Sequence, residues 1–485
     1  MNENASAAPE TALGSSVALS MLGVNMMVLM ATLDMSIVNV SLPTLAVSLG
    51  TDFATIQWVI LSYVAAIACL LLMVSRLGDM KGKKRIFAAG LVIFTAASLL
   101  CGLSPDAYWL IAFRAVQGIG AAMSQALGVA IVTEIAPPGK RGRAIGFVGA
   151  TVAMGLALGP SLGGILIDLA GWRWIFLVNV PIGLVAMRIV AKYMPDLAPA
   201  QTRQRFDVPG AVIAALALGG YCLGMTMGQK TGFDQLATLL LLGGAAFGFG
   251  AFIVVERRTA QPMIDLTLFR NPLFSLNLLM SIVVFLALSS GFLAPFFLQM
   301  AQGRSPREMG LMMMVLPVCM GAFAMLSGNL SDRFGPRGLS ILGLAVVGAG
   351  YLLMAGLTAS SPWWEYVLRN APIGIGIGLF QAPNNSAIMG AVPRDRLGVA
   401  SGLLNYTRVF GQSTGMPLTG AIFTTAVAGM TTVTSRADFS QVAPDVLVAA
   451  FRHTNIIVFF LTLVALGLGV LVWRLDVKGH VSRDA

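Results

Sequence analysis

Charge is what this chain has least of. Asp, Glu, Lys and Arg make up 11% of its 485 residues, against 57% apolar residues, and mean hydropathy is +0.82. A soluble domain of that size needs far more charge to cover its surface, so a soluble globular protein is excluded. Histidine is nearly absent. His453 and His480 stand alone, one at a span mouth and one in the C-terminal tail, and offer no basis for a catalytic or metal centre. The four cysteines, Cys69, Cys101, Cys222 and Cys319, are far apart in apolar stretches. That spacing suits neither zinc nor a disulfide framework, and they read as small core hydrophobes. Alternating strand patterns are missing, which argues against a barrel. A Walker-type phosphate loop is missing too, so nothing here would burn ATP. Residues 1–16 carry no Lys or Arg and cannot serve as a signal peptide; they are expected to form a short disordered cytoplasmic tail.

What remains is apolar runs, each long enough to cross about 30 Å of hydrocarbon. We place fourteen, at 17–40, 55–74, 86–103, 108–132, 144–167, 173–190, 208–228, 236–255, 274–298, 308–330, 339–358, 364–388, 398–421 and 454–473. Of these, 144–167 and 398–421 are weakest, because they are rich in glycine. Of the 31 Lys and Arg residues, 22 fall in one set of loops and tails and six in the opposite set. The remaining three, Arg114, Arg369 and Arg408, lie inside spans. The bias puts both termini in the cytoplasm. The net charge of +10 then faces cytoplasm and anionic lipid, and no nucleic-acid partner is needed.

The spans repeat. Leu77, Asp79, Gly82 and Lys84 recur as Leu330, Asp332, Gly335 and Arg337, at an offset of 253. Arg114 recurs as Arg369 at 255, and Ala144, Gly146, Gly155 and Gly159 recur as Ala400, Gly402, Gly411 and Gly415 at 256. A slow one-way drift is what a diverged duplication leaves. The expected organisation is an all-α polytopic membrane protein with two six-helix bundles, 17–190 and 274–473. Two extra spans and their flanking cytoplasmic linkers occupy 191–273, and a cytoplasmic tail covers 474–485. Parallel halves of this kind are a transporter architecture, with a ligand site between them that opens to each face in turn.

The stretch RLGDMKGKKR, residues 76–85, packs six charges into the loop between spans 2 and 3. Glycine permits a tight turn there. Asp79 adds nothing to orientation; it reads either as a static turn residue or as half of a gate latch, and its second copy at Asp332 favours the latch. The stretch resembles the loop 2–3 signature of the major facilitator superfamily, G-x-L-a-D-r-x-G-r-[KR]-x. Ser75 replaces the usual first glycine and Met80 the usual arginine. Leu33-Asp34 through Asn39 to Pro43 resembles the end of span 1 in the fourteen-span drug:proton antiporter family. Gln57-Trp58 with Tyr63 resembles its span 2, and Arg114 through Gln117-Gly118 to Gly120 its span 4. Residues 155–164 resemble its span 5 antiporter motif, and Trp172 to Phe176 with Asn179, Pro181 and Gly183 the start of its span 6.

Gly155, Gly159 and Gly163 follow at i, i+4 and i+8, so they form one small-residue helix face, and Pro160 allows a bend. That face reads as simple helix packing or as the seal that the resemblance implies, closing the cytoplasmic half against the opposite bundle. The gating set is therefore Arg76, Asp79, Gly82, Lys83, Asp332, Arg333, Gly155, Gly159, Pro160 and Gly163. For proton coupling we take Asp34, with Arg114 in support and Glu134 at the cytoplasmic end of span 4. A lone ion in hydrocarbon is expensive and needs a partner, water or neutralisation. Without a cation, burial favours the protonated acid and Asp34 can carry a proton; tied to Arg114 it is structural. Both readings stand at this point. The substrate cavity is expected to include Asp34, Asn39, Gln57, Trp58, Tyr63 and Arg408. Arg369 reads as a structural relic of Arg114.

The resemblance implies a proton-driven multidrug efflux antiporter of the bacterial inner membrane. It would export hydrophobic compounds, expected to be cationic, by alternating access. No cofactor or metal is expected, only the proton gradient. The protein would act as a monomer among membrane lipids, with room for a periplasmic adaptor. Two alternatives stay open. One is a same-fold exporter of a specific native metabolite, siderophore, lipid or peptide. The other is a non-transporting membrane sensor or assembly subunit.

Overall fold

The computed structural model describes residues 9–137, 141–196, 207–259, 266–334, 336–392, 397–430 and 442–481, and among them every regular element is helical. Fourteen long helices or helix runs, called spans 1 to 14 here, stand where the apolar runs lie. Spans 1 to 6 are Pro9–Ser48, Phe53–Ile56 continued by Trp58–Lys81, Lys83–Gly102, Ala107–Ile135, Arg141–Ala170, and Trp174–Leu177 continued by Asn179–Tyr193. Spans 7 and 8 are Val208–Thr231 and Leu236–Arg258. Span 9 begins as Pro272–Leu288 and runs on through a 3-10 turn, Ser289–Phe292, and a π turn, Phe297–Ala301. Spans 10 to 14 are Pro306–Met313 continued by Val315–Phe334, Pro336–Met354, Trp363–Gly390, Leu397–Met430 and Pro444–Val481.

Twelve of these are long and apolar enough to cross a membrane on length and composition alone. The remaining two are spans 12 and 13, which carry Glu365, Arg369, Asn370, Asn384 and Asn405, Arg408, Gln412 among their apolar residues. Span 5, expected to be weak, clears that measure, because its glycines are interleaved with Leu, Ile and Val.

The scarce polar residues mark helix starts. Asp52 accepts from the backbone N–H of Thr55, Asp106 from Tyr108 and Trp109, Asp207 from Gly210, and Asn271 from Leu273 and Phe274. Ser305 and Glu308 form a reciprocal capping box at the start of span 10. Each satisfies N–H groups that a helix leaves unpaired at its first turn. The turn after span 2 ends on Gly82 at φ +95°, a left-handed backbone that favours glycine, as the loop reading expected.

Helices meet through glycine, and the meetings come in pairs. A Cβ on Gly118 would lie 2.6 Å from the Tyr63 carbonyl oxygen, and one on Gly374 2.4 Å from that of Leu316. Gly90 and Gly120 bring spans 3 and 4 together backbone to backbone, as Gly343 and Gly376 do for spans 11 and 12. Gly155 and Gly159 lie on Thr32 and Ser36 of span 1, while Gly411 and Gly415 lie on Phe285 and Ser289 of span 9. Each pair is separated by the 253–256 residues of the sequence offset. These contacts align span 1 with span 9 and place Ala287 opposite Asp34.

One expectation changes here. Gly155, Gly159 and Gly163 pack on Thr32, Ser36 and Ile37 of their own half and do not face the other bundle. The cross-half contact comes from the neighbouring strip of span 5. There Gly164 meets the carbonyl of Pro306, and the Pro160 carbonyl meets Gly310. The reason is geometric: the i, i+4, i+8 glycines form the narrowest ridge, and span 1 packs into it at Thr32, Ser36 and Ile37.

The same strip shows which way the halves splay. A Cβ on Gly164 would be 2.3 Å from Pro306, one on Gly321 lies 4.0 Å from Ala153, and one on Gly149 or Gly146 meets nothing within 4 Å. The halves thus touch on the face opposite the termini and part toward the face that bears them. On the closed face Phe53 meets Phe292, Phe296 and Phe423, and Thr44 bonds to Gln299 at 3.2 Å. Span 7 straps that face from outside. Lys230 bonds to Asp52 at 2.9 Å, Gln229 accepts from Gln57 at 3.0 Å, and Gln229 donates to the Pro417 carbonyl at 2.9 Å.

Gly164→Leu is expected to shift the molecule toward opening on this face, since its side chain would collide with backbone of the other half. In a background without the native cysteines, a Thr44→Cys probe should then react several-fold faster with a membrane-impermeant maleimide. An unchanged rate would show that the Gly164 contact does not hold the face shut.

Candidate functional site

Asp34 and Arg114 are both fully buried. Arg114 Nη1 donates to Asp34 Oδ2 at 2.5 Å and to Gln117 Oε1 at 2.6 Å, and its Nε donates to the Val59 carbonyl at 2.9 Å. The second carboxylate oxygen, Oδ1, accepts from Gln117 Nε2 and Asn179 Nδ2, each at 3.0 Å. Gln117 Nε2 also reaches Ser98 Oγ at 2.7 Å. The Arg114 guanidinium lies over the Tyr63 ring, 4.1 Å from its centroid, and Tyr63 Oη donates to the Ala31 carbonyl at 3.3 Å. Spans 1, 2, 3, 4 and 6 therefore all hold one ion pair.

The local reasons are readable. Arg114 and Gln117 are three apart on span 4 and share a face. Asn179 begins the second segment of span 6, where the helix breaks at Val178 and turns a polar side chain inward. The carboxylate accepts three N–H groups, which satisfy its oxygens away from water. Arg114 Nη2 and Asn179 Oδ1 remain without partners, so the network has bonds to gain in another arrangement.

The other expected residues divide. Tyr63 and Asp34 belong to this buried pair and reach no open space in this state. Gln57, 1% exposed, lies in the closed face against Gln229 and Gly420. Trp58 is part-buried against the core, and Asn39 is part-buried with Oδ1 unpaired. Arg408 is part-exposed, over Phe285 at 5.2 Å, with its Nε enclosed and unpaired. Arg369 pairs with Glu365 one turn away and donates to the Leu353 carbonyl, turned from the counterpart of the Asp34 site. Glu134 and Lys83, expected in separate roles, meet at 2.7 Å and tie the end of span 4 to the loop after span 2. That pair is partly exposed, 18% for Lys83 and 39% for Glu134, and contributes about 0–1 kcal/mol. The side chains of Arg76, Asp79, Asp332 and Arg333 lie outside the described residues.

Ser98 was not legible as a site residue, being one of many serines in apolar spans. Gln117 and Asn179 gave a signal, since each is an amide placed where an apolar residue would suffice. Among the described residues no cluster of His, Cys, Asp and Glu suits a metal ion.

A buried ion pair held by five spans, in one of two splayed halves, is the architecture of a membrane transporter. The chain belongs to the Major Facilitator Superfamily, whose profile matches residues 24–416 and again 278–483. It is 32% identical to the riboflavin transporter RibZ of Clostridioides difficile over 82% of this chain and 86% of that protein. It is also 32% identical to the multidrug resistance protein Stp of Mycobacterium tuberculosis H37Rv, over 88% of this chain and 79% of that one. Its fold matches a bacterial homologue of the human lysosomal transporter Spinster, in an inward-facing and unoccupied conformation. That match has a TM-score of 0.71 at 16% identity and covers 98% of this chain and 99% of the other.

Proposed function

We propose that this protein is a proton-driven exporter of hydrophobic compounds, acting by alternating access in the bacterial cytoplasmic membrane with both termini inside. The loop charge bias orients it, so the closed face is periplasmic and the splayed face opens to the cytoplasm. The observation that carries the reading is the Asp34–Arg114 pair. It is the one place where a proton can change the charge inside the first half, because Asp34 is the only acid of the chain in the middle of a span.

In the mechanism, cargo enters from the cytoplasm or inner leaflet while Asp34 is ionised and held by Arg114, Gln117 and Asn179. Rocking to the outward state exposes Asp34 to the more acidic side. A proton there frees Arg114 from its counter-ion and rearranges a network that five spans share. Return to the inward state releases the proton to the cytoplasm. A ligand or proton shifts such an equilibrium only through different affinity for the two states, and a pair that changes partners supplies that difference. Lys83, Glu134 and the gate loops would adjust at the cytoplasmic rim as the halves close. The second half has Ala287 where the first has Asp34, so one coupling carboxylate serves both. The energy source is the proton gradient, and neither cofactor nor metal enters the cycle. The protein would work as a monomer in lipid, and an adaptor would meet its periplasmic face.

Stp, named for multidrug resistance, supports broad export. RibZ, named for riboflavin, favours a second reading, export of one native metabolite by the same cycle. The test uses purified protein in vesicles with an imposed pH gradient. Cargo movement should be matched by opposite proton movement, and a protonophore should abolish both. Cargo movement indifferent to the gradient would sink proton coupling, and a panel of unrelated compounds separates the broad exporter from the specific one.

A further inference from the structure

We infer that the cargo chamber selects compounds bearing a negative charge, with Arg408 as the group that pairs with it. This rests on the export reading and replaces the expectation of cationic cargo. Arg408 lies eleven residues into span 13, deeper than Arg114 in span 4 or Arg369 in span 12. Those two have carboxylate partners, Asp34 and Glu365. Arg408 has none among the described residues. Its Nε is enclosed without a hydrogen bond, and its only described polar-type contact is with the face of Phe285.

The helix face identifies what Arg408 looks toward. Gly411 and Gly415 turn to span 9, and Ser413 and Thr414 turn their carbonyls to Cys222 and Tyr221 of span 7. Arg408, Gln412 and Phe423 lie at i, i+4 and i+15, on the strip beside that glycine face. Phe423 closes that strip against Phe53 of the first half. Arg408 therefore stands below the periplasmic seal, on the side of span 13 that faces the space between the halves. It is part-exposed there.

Charge accounting supplies the ligand class. Of 21 acidic residues only Asp34 is in a span interior, and Arg114 occupies it. Among the described residues the space between the halves has no spare carboxylate to attract a cation, and it has one cation, Arg408, without a carboxylate partner. An unpaired ion at this depth is costly unless water or a counter-charge meets it. A guanidinium held over a buried aromatic ring presents its donor fork to a carboxylate, sulfonate or phenolate, and the apolar walls around it suit a flat cargo. The cargo class is thus a flat, largely apolar organic anion. Sequence position 152, the counterpart of Arg408 in the first half, is Val152, so the positive pole is confined to one side of the chamber.

The test compares fluorescein, an anion, with rhodamine 6G, a cation on the same ring system. Binding to the purified full-length protein is read by fluorescence anisotropy, which needs no proton gradient. Wild type should bind fluorescein more tightly. Arg408→Gln should weaken fluorescein at least tenfold and leave rhodamine 6G unchanged or tighter, while Arg408→Lys should stay within threefold of wild type for fluorescein. Monodispersity on gel filtration checks that each variant folds, and Arg408→Lys covers the case in which Arg408→Gln does not. Tighter rhodamine binding by wild type would overturn the proposal. So would no fluorescein binding, or an equal effect of Arg408→Gln on both dyes. Proton coupling fails separately: it is read only in the vesicle assay, and its loss leaves the binding preference in place.

Discussion

Asp34→Asn is expected to abolish proton-coupled transport and to destabilise the protein at the same time. The asparagine fits the space but has no charge to set against Arg114, which is fully buried among five spans. Breaking a buried pair by removing one partner costs about 3–5 kcal/mol, because the other charge stays behind. The double variant Asp34→Asn with Arg114→Gln removes both charges and should recover part of that loss. Transport coupling should stay absent in both. Substrate-induced proton release in vesicles measures the first effect, and thermal unfolding in detergent measures the second. Stability losses that simply add would mean the two residues do not act as a pair. Unchanged proton release in Asp34→Asn would remove the carboxylate from the mechanism.

Gly120→Leu should prevent folding altogether, and Gly376→Leu should do the same in the second half. A Cβ on Gly120 would sit 2.6 Å from the carbonyl oxygen of Gly90 and 2.6 Å from the amide nitrogen of Phe94. On Gly376 it would sit 2.5 Å from the Gly343 carbonyl oxygen and 2.6 Å from the Val347 nitrogen. These are backbone atoms, so no rotamer change relieves the collision and two helices must move apart. Overpacking that side chains can absorb costs about 1–3 kcal/mol, and this collision should exceed that range. Gly219→Ala, where a Cβ meets nothing within 4 Å, is the matched control and should fold normally. Yield of monodisperse protein after gel filtration reads the result. Normal yield from Gly120→Leu would mean the two helices are not as close as described.

Helix positions were legible in the chain because hydropathy is local: a segment of twenty apolar residues has few ways to satisfy its backbone except as a helix in lipid. The resemblance to the superfamily was legible too, through RLGDMKGKKR and the span 1 and span 4 stretches. The site was legible in its ends only. Asp34 and Arg114 stand out as charges in apolar spans, but whether they meet depends on helix rotation and depth. Span 5 shows the limit most clearly. Its glycine face was visible as a face, yet the neighbour that takes it was not, and the contact with the other half lies one strip away, at Pro160 and Gly164, on the face away from the termini and not in the cytoplasmic half where a seal was expected.

By itself, then, the chain determined its helical class, the positions of its long helices, its resemblance to a superfamily of transporters and the scarcity of interior charge. The resemblance rests on motifs within single stretches, and the rest follows from composition or local spacing. Only the tertiary structure decided that Asp34 is tied to Arg114, that Arg408 has no carboxylate partner among the described residues, and that the halves close on the face away from the termini. Those facts depend on how helices cross, and the crossings are set by glycine contacts between residues far apart in the chain, whose partners no local pattern names.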